Sequence, residues 1–249
     1  MSSDKPFDNI CFEDFRRLAQ DMSLSKYERI GFPDAYRRGF ESKIFIDIQS
    51  KLTSLATDNK CIFDIGPGCS DLPNMLIDLC REHRHKLTLI DNQEMLDLLP
   101  NDVFIEKVAA AYPNCPDLIS RYQGRVDVVV CYSVLHYLLI DTAFLRFLDT
   151  SLSLLAPGGQ MLIGDIPNIS KRKRFFSSQA GVRFHKEFMK TDEEPIVEYS
   201  RIEHDRIDDA VVMLLLQRAR SQGFEAYILP QNADLPMANR REDVLIVRP

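Results

Sequence analysis

Four short stretches of the chain carry residues able to do chemistry on a small polar ligand. Asp64-Ile65-Gly66-Pro67-Gly68 follows an apolar run, and its glycines let a backbone turn pass close to a ligand where a Cβ would clash. Asp91 ends a second apolar run, where a carboxylate can accept hydrogen bonds from both hydroxyls of a ribose. Ser133, His136 and Tyr137 follow a third run, and Asp165 follows a fourth. An unperturbed imidazole titrates near ~6.5, which makes His136 the candidate general base, with Asp165 a second candidate as a carboxylate. All four stretches lie just after runs that read as strands, and an open parallel sheet binds ligands beyond the carboxyl ends of its strands.

The elements that must position these groups follow from periodicity. Strands are expected at Cys61–Ile65, at Leu87–Ile90 running into Asp91, from Val103, at Val126–Cys131 and at Gln160–Gly164. Val126–Cys131 is nearly all apolar, as befits a strand buried on both faces. A helix capped by Ser70 or Asp71 carries Leu72, Met75, Leu76 and Leu79 on one face. Another runs from Phe144 to Leu155 and stops at Ala156-Pro157-Gly158-Gly159. Residues 165–205 read as polar and irregular, followed by a helix over 206–222 and a closing pair of strands, Phe224–Leu229 and Asp243–Val247. Upstream, helices are expected at 11–21 and 34–55, with Ile44, Ile48, Leu52 and Leu55 at helical spacing. The alternation of strand and helix indicates a parallel sheet covered by helices, with one antiparallel edge strand.

Composition removes several classes of function. The chain of 249 residues balances 31 Lys+Arg against 37 Asp+Glu, a net charge of −6 that argues against a general nucleic-acid binder. No window approaches the length of a spanning helix, and the first ten residues have no apolar stretch behind a basic one, so neither a membrane span nor a secretory signal is expected. The six cysteines form no C-x-x-C pair and read as buried thiols of a reducing, cytoplasmic compartment. The five histidines form no metal-type spacing, so no metal is expected.

The choice of cofactor rests on one position. A dinucleotide loop wants a third glycine where this chain has Asp71, whose charge would repel a diphosphate. A cofactor carrying a sulfonium and an amino group instead of phosphates meets no such conflict. Ile62-Phe63-Asp64-Ile65-Gly66-Pro67-Gly68 resembles the first motif of class I S-adenosylmethionine-dependent methyltransferases, and Leu87-Thr88-Leu89-Ile90-Asp91 their second. The stretch Val126 to Tyr137 is similar to their fourth, and Leu154-Leu155-Ala156-Pro157-Gly158-Gly159 to the turn before their fifth strand. The resemblance spans roughly residues 60–165 and 206–249. It implies a Rossmann-like α/β fold, a seven-stranded mostly parallel sheet with helices on both faces, over 56–249, with S-adenosyl-L-methionine as cofactor. By the same resemblance Asp64, Gly66, Pro67 and Gly68 line the methionine part of the cofactor. Asp91 holds the ribose with Asn92 or Gln93 beside it, Val108 and Ala109 flank the adenine, and Ser133 sits with His136 near the methyl-transfer axis. Two positions depart from the family: Ser70 replaces a third glycine, and Val108 stands where an acidic residue often grips the adenine.

The acceptor side is expected in the insertion 165–205. Its Lys171-Arg172-Lys173-Arg174 run, with Phe175, Phe176, Arg183, His185 and Lys186, reads either as a solvated surface or as a clamp for an anion. Arg172, Arg174, His185 and Arg240 are the candidate contacts there, joined by Tyr36. Residues 1–55 form a helical extension that is either a lid over the site or packing for the sheet edge or a homodimer partner, with Tyr27, Tyr36, Arg37 and Arg38 as candidates for facing inward. The function expected is methyl transfer to a small or medium polar, anionic acceptor, with oxygen favoured and a nucleotide-linked sugar or polysaccharide precursor as one such molecule. RNA methylation and a non-catalytic binding protein of the same fold are the alternatives.

Overall fold

The computed structural model describes residues 10–141, 143–201 and 203–249. Residues 1–9, in which no secretory signal is expected, lie outside that range. The strands are β1 Cys61–Ile65, β2 Lys86–Asp91, β3 Ile105–Ala109, β4 Val126–Tyr132, β5 Leu155–Pro167, β6 Glu225–Pro230 and β7 Arg241–Val247. They form one seven-stranded sheet in the order β3-β2-β1-β4-β5-β7-β6. β1 through β5 run parallel, while β7 is antiparallel to both β5 and β6. The antiparallel strand expected at the edge therefore lies inside the sheet, and β6 is the edge. β3 starts at Ile105, because Val103 is fully exposed in the preceding loop. β5 begins already at Leu155, bulges around Gly158-Gly159 and regains its register with β4 at Gln160.

The helices before β1 are α1 Phe12–Gln20, α2 Lys26–Arg29, α3 Asp34–Arg37 and α4 Glu41–Lys51, followed by a 3-10 turn at Thr53–Ala56. The single helix expected over 34–55 is thus broken at Arg38-Gly39-Phe40, where Gly39 takes the left-handed φ of +80°. Downstream lie α5 Asp71–Glu82, α6 Gln93–Asp97, α7 Pro116–Tyr122, α8 Leu135–Asp141, α9 Phe144–Leu154, α10 Ile169–Phe176, α11 Gln179–Met189 and α12 Asp209–Ser221. The irregular stretch expected after β5 therefore holds two helices, whose starts are capped by Asn168 and Ser178 side chains. No helix among the described residues is long and apolar enough to cross a membrane.

Two apolar layers hold the sheet. One face buries Phe63, Val129, Cys131 and Ile163 against Phe147, Leu148 and Leu152 of α9 and Val212 and Leu215 of α12. The other buries Ile62, Leu87, Leu89 and Val130 against Leu76, Ile77 and Cys80 of α5 and Ile44, Ile48 and Leu52. Ile44 and Ile48 belong to α4, so this helix is part of the core and no core boundary falls at residue 55. Burying such side chains stabilises by about 1.5–3 kcal/mol each. The segment free of that layer is α1 to α3, and it lies over the carboxyl ends of the strands.

Candidate active site

A cleft of about 990 Å³, counted out to its mouth, opens at the carboxyl ends of β1, β2 and β4. Its floor is the turn after β1. Gly66 and Gly68 both take left-handed φ, +70° and +66°, which a residue with a Cβ adopts at a cost. A Cβ on Gly66 would stand 2.7 Å from Val134 Cγ2, and one on Gly68 2.6 Å from Ile30 Cγ2, so the cradle accepts glycine alone without movement.

Asp91 closes one side. Its Oδ2 accepts the Gly68 amide at 3.0 Å and its Oδ1 the Asn92 amide at 2.7 Å. Each oxygen keeps a second lone pair for a ligand hydroxyl. Burial lifts its pKa to about 6, although the Gly68 and Asn92 amides pull the other way. Beyond it the wall is apolar: Ile90, Met95, Ala110, Ala111 and Tyr112.

The roof comes from the first helices. Phe12, Phe15, Ile30, Phe32 and Arg37 all line the cleft. Phe15 meets Tyr137 of α8 edge-on with centroids 4.8 Å apart, and Arg16 pairs with Glu94 of α6 at 2.9 Å. Lys26 Nζ and Tyr27 Oη bond Asp71 at 2.5 and 3.2 Å, which ties α2 to the start of α5. Glu41 Oε2 accepts the Leu72 amide at 2.8 Å. Two carboxylates, Asp71 and Glu41, therefore already occupy the helix end that a dinucleotide fold offers to phosphate.

At the ends of β4 and β5, Ser133 and Asp165 both adopt left-handed φ, +62° and +56°, unusual for residues with side chains. They are locked together: Ser133 Oγ donates to Asp165 Oδ2 at 2.6 Å. Gln231 Nε2 reaches Asp165 Oδ1 at 3.4 Å and Asp243 Oδ1 at 3.1 Å, and the Asp165 amide donates to Asp243 Oδ1 at 2.8 Å. Burial pushes the Asp165 carboxyl up, but the Arg241 and Arg37 guanidiniums and the Ser133 hydroxyl outweigh it and hold it below the ordinary value.

The cleft gathers some of the expected site residues and not others. Gly66, Pro67, Gly68, Asp91 and Ser133 line it. Asp64 does not: it is buried beneath the loop, beside Phe45, Ile48, Leu76 and Tyr132, and burial with the neighbouring Asp91 charge raises its pKa to about 8. Asn92 is also turned to another task, accepting the Met95 amide at 2.8 Å as the cap of α6. Val108 and Ala109 pair with Ile90 and Asp91 inside the sheet, and the wall begins two residues later, at Ala110 and Ala111. His136 and Asp165 lie outside the lining. Burial, Arg241 and other nearby cations depress the His136 pKa to about 3, so the ring is neutral, and its enclosed Nδ1 has no hydrogen-bond partner among the described residues.

Of the acceptor-side candidates, three meet around the Phe176 ring and a fourth, Tyr36, joins them through Arg240. Arg172 lies 5.7 Å and Arg240 6.0 Å from the Phe176 centroid, and His185 packs edge-on against it at 6.2 Å. Tyr36 interacts with Arg240. Arg174 is excluded, because it pairs with Asp209 of α12, and Lys173 pairs with Glu203 at 3.4 Å. Arg38 is exposed and pairs with Asp34, whereas Arg37 and Tyr27 are buried as expected. The lining residues that sequence missed include Phe12, Phe15, Ile30 and Phe32, in a stretch whose mixed aromatic spacing was the one visible sign, and Met95, Ala110, Ala111 and Tyr112 of the apolar wall.

The strand order, the reversed β7 and the placement of the cleft define the class I methyltransferase fold. Solved structures of that class superpose on it. A plantazolicin methyltransferase in complex with a monoazolic desmethylPZN analog and SAH matches 95% of this chain and 96% of its own at 14% identity, with a TM-score of 0.57. A methyltransferase described as SAM-dependent, from Aquifex aeolicus, matches 89% of this chain and 96% of its own at 14% identity and TM-score 0.52. A putative O-methyltransferase from Nostoc punctiforme matches 94% of this chain at 12% identity and TM-score 0.54, and the chain spans 60% of that structure. No protein-family model matches the chain, and no curated protein matches its sequence.

Proposed function

We propose that the chain is an S-adenosylmethionine-dependent methyltransferase acting on a small or medium-sized anionic acceptor. The observation that carries this reading is one cleft lined at once by a glycine cradle, a carboxylate with spare lone pairs and an apolar wall. The residues fit the cofactor: Gly66 and Gly68 let the backbone approach, Asp91 accepts the ribose hydroxyls, and Ala110, Ala111 and Tyr112 with Met95 flank the adenine. The carboxylates at the start of α5 suit a cofactor without a diphosphate. When bound, S-adenosylmethionine supplies an electrophilic methyl group on its sulfonium. The aromatic roof excludes water around that charge.

The acceptor reading rests on the cluster of Phe176, Phe184, Arg172 and Arg240, which offers flat apolar faces beside two guanidiniums. Such a cluster suits a planar or nucleotide-bearing anion. A sugar hydroxyl, one of the acceptors considered from sequence, needs a base, and the neutral His136 and the ion-paired Asp165 are poor ones. An oxygen that arrives already nucleophilic, a carboxylate above all, needs none. The six cysteines are free thiols, in keeping with a reducing, cytoplasmic setting.

The test is methyl transfer from radiolabelled S-adenosylmethionine to fractionated cell extract, with Asp91→Ala as control. Label in an anionic small-molecule fraction that turns base-labile, as a methyl ester does, supports the reading. Label in RNA instead moves it to an RNA methyltransferase, and no label in any fraction contradicts it.

A further inference from the structure

Arg37 is a buried charge that the cleft's described roles leave unused. It is 4% exposed and lines the cleft from the end of α3. Its Nη2 donates to Ser133 Oγ at 2.5 Å, and its guanidinium carbon sits 4.3 Å from the Phe32 centroid and 5.8 Å from that of Tyr132. Its Nη1 has no hydrogen-bond partner among the described residues. The nearest acids stand off: Glu41 Oε1 is 3.9 Å from Nη1, and Asp165 Oδ2 is 3.9 Å from Nη2. These carboxylates balance the charge without satisfying the donor. A buried donor left unpaired costs free energy and marks a place where a ligand oxygen fits.

The sheet order says which part of a ligand reaches it. Asp91 ends β2, the glycine turn follows β1, and Ser133 follows β4, in the spatial order β2-β1-β4. A ligand whose ribose sits at Asp91 and whose middle crosses the glycine turn brings its other end to Ser133 and Arg37. In S-adenosylmethionine that end is an amino acid.

We propose that Arg37 binds the carboxylate of the cofactor's amino-acid moiety, with Ser133 and Glu41 positioning the guanidinium. The proposal rests on the cofactor reading above. Nη1 donates to the carboxylate while Nη2 keeps its bond to Ser133, which Asp165 orients in turn. Because Arg37 belongs to the roof, the cofactor then holds its own cover down.

The experiment compares binding of S-adenosylmethionine, decarboxylated S-adenosylmethionine and methylthioadenosine by calorimetry, using the full chain. Wild type is expected to bind the first at least about tenfold more tightly than the second, or about 1.4 kcal/mol. Arg37→Ala removes that preference and leaves methylthioadenosine within about twofold, while Arg37→Lys restores part of it. Equal binding of the first two ligands by wild type, or a preference that survives Arg37→Ala, overturns the proposal. If Arg37→Ala does not fold, the comparison of ligands on wild type alone decides. Binding of all three ligands with no carboxylate preference sinks the clamp and spares the cofactor reading, whereas binding of none sinks both.

Discussion

At the scale of single residues, the site is governed by what burial does to charge. Asp91 is lifted to about 6 chiefly by burial, so it takes up a proton on mild acidification. A protonated carboxyl loses acceptor capacity toward ribose hydroxyls. Affinity for the cofactor is therefore expected to fall as pH drops through about 6, and Asp91→Asn to bind weakly with a flat profile; titrations between roughly pH 5 and 8 check this. His136 sits at the other extreme, held neutral near 3. The pH profile of kcat should then show no limb near ~6.5 that His136→Ala abolishes, and the rate should follow the acceptor's own ionisation. The placement of Gly66, Gly68 and Asp91 at the cleft was legible in sequence because each lies at or just past the end of an apolar run. The role of Asn92 was not, since a helix cap and a ligand contact want the same side chain at the same place.

At the scale of elements, the contact between loop and roof is tight enough to be tested by a pair of changes. Gly68→Ala puts a methyl 2.6 Å from Ile30 Cγ2 and forces a left-handed φ on alanine, a cost of about 1–2 kcal/mol before any clash. Thermal melts should show a drop of a few degrees, and Ile30→Ala in the same chain should recover the clash part only. No recovery at all would mean that α2 does not rest on the turn. The tether of α2 to α5 is different in kind. Lys26 and Asp71 are each over 40% exposed, 44% and 42%, so Asp71→Asn should cost well under ~1 kcal/mol of stability. Its effect belongs in kinetics: a faster cofactor off-rate by stopped flow, at nearly unchanged melting temperature. The strands and α5 were readable because their apolar periods are local. α10 and α11 were not, since their polar sequences carry weak periodicity and their starts depend on the Asn168 and Ser178 caps.

At the scale of the whole molecule, the fold stores carboxyls where water does not reach. Asp64, raised to about 8 by burial and then by Asp91, keeps its proton in the folded chain long after the unfolded chain, near 3.8, has released it. The folded state then binds more protons across that window, so this group's share of stability falls as pH rises from about 4 to about 8 and levels beyond. Asp64→Asn should flatten that slope in denaturant titrations. An unchanged slope would place the titration elsewhere. Sequence reading went astray where charges are settled over long distances. The run at 171–174 reads either as a solvated surface or as an anion clamp with all four cations available, yet Arg174 is paired with Asp209, Lys173 with Glu203, and Lys171 Nζ donates to the Arg241 carbonyl at 2.5 Å. Arg37 was among several inward-facing candidates, but its bond to Ser133 joins residues 96 positions apart, a pairing no local pattern reveals.

A cleft built for S-adenosylmethionine also binds the demethylated product, so the decisive measurement is calorimetric titration of S-adenosylhomocysteine into wild type and Asp91→Ala. One site per chain with micromolar affinity is expected, weakened at least about tenfold in the variant. Absence of binding by the folded wild-type chain, or equal binding by the two, would contradict it.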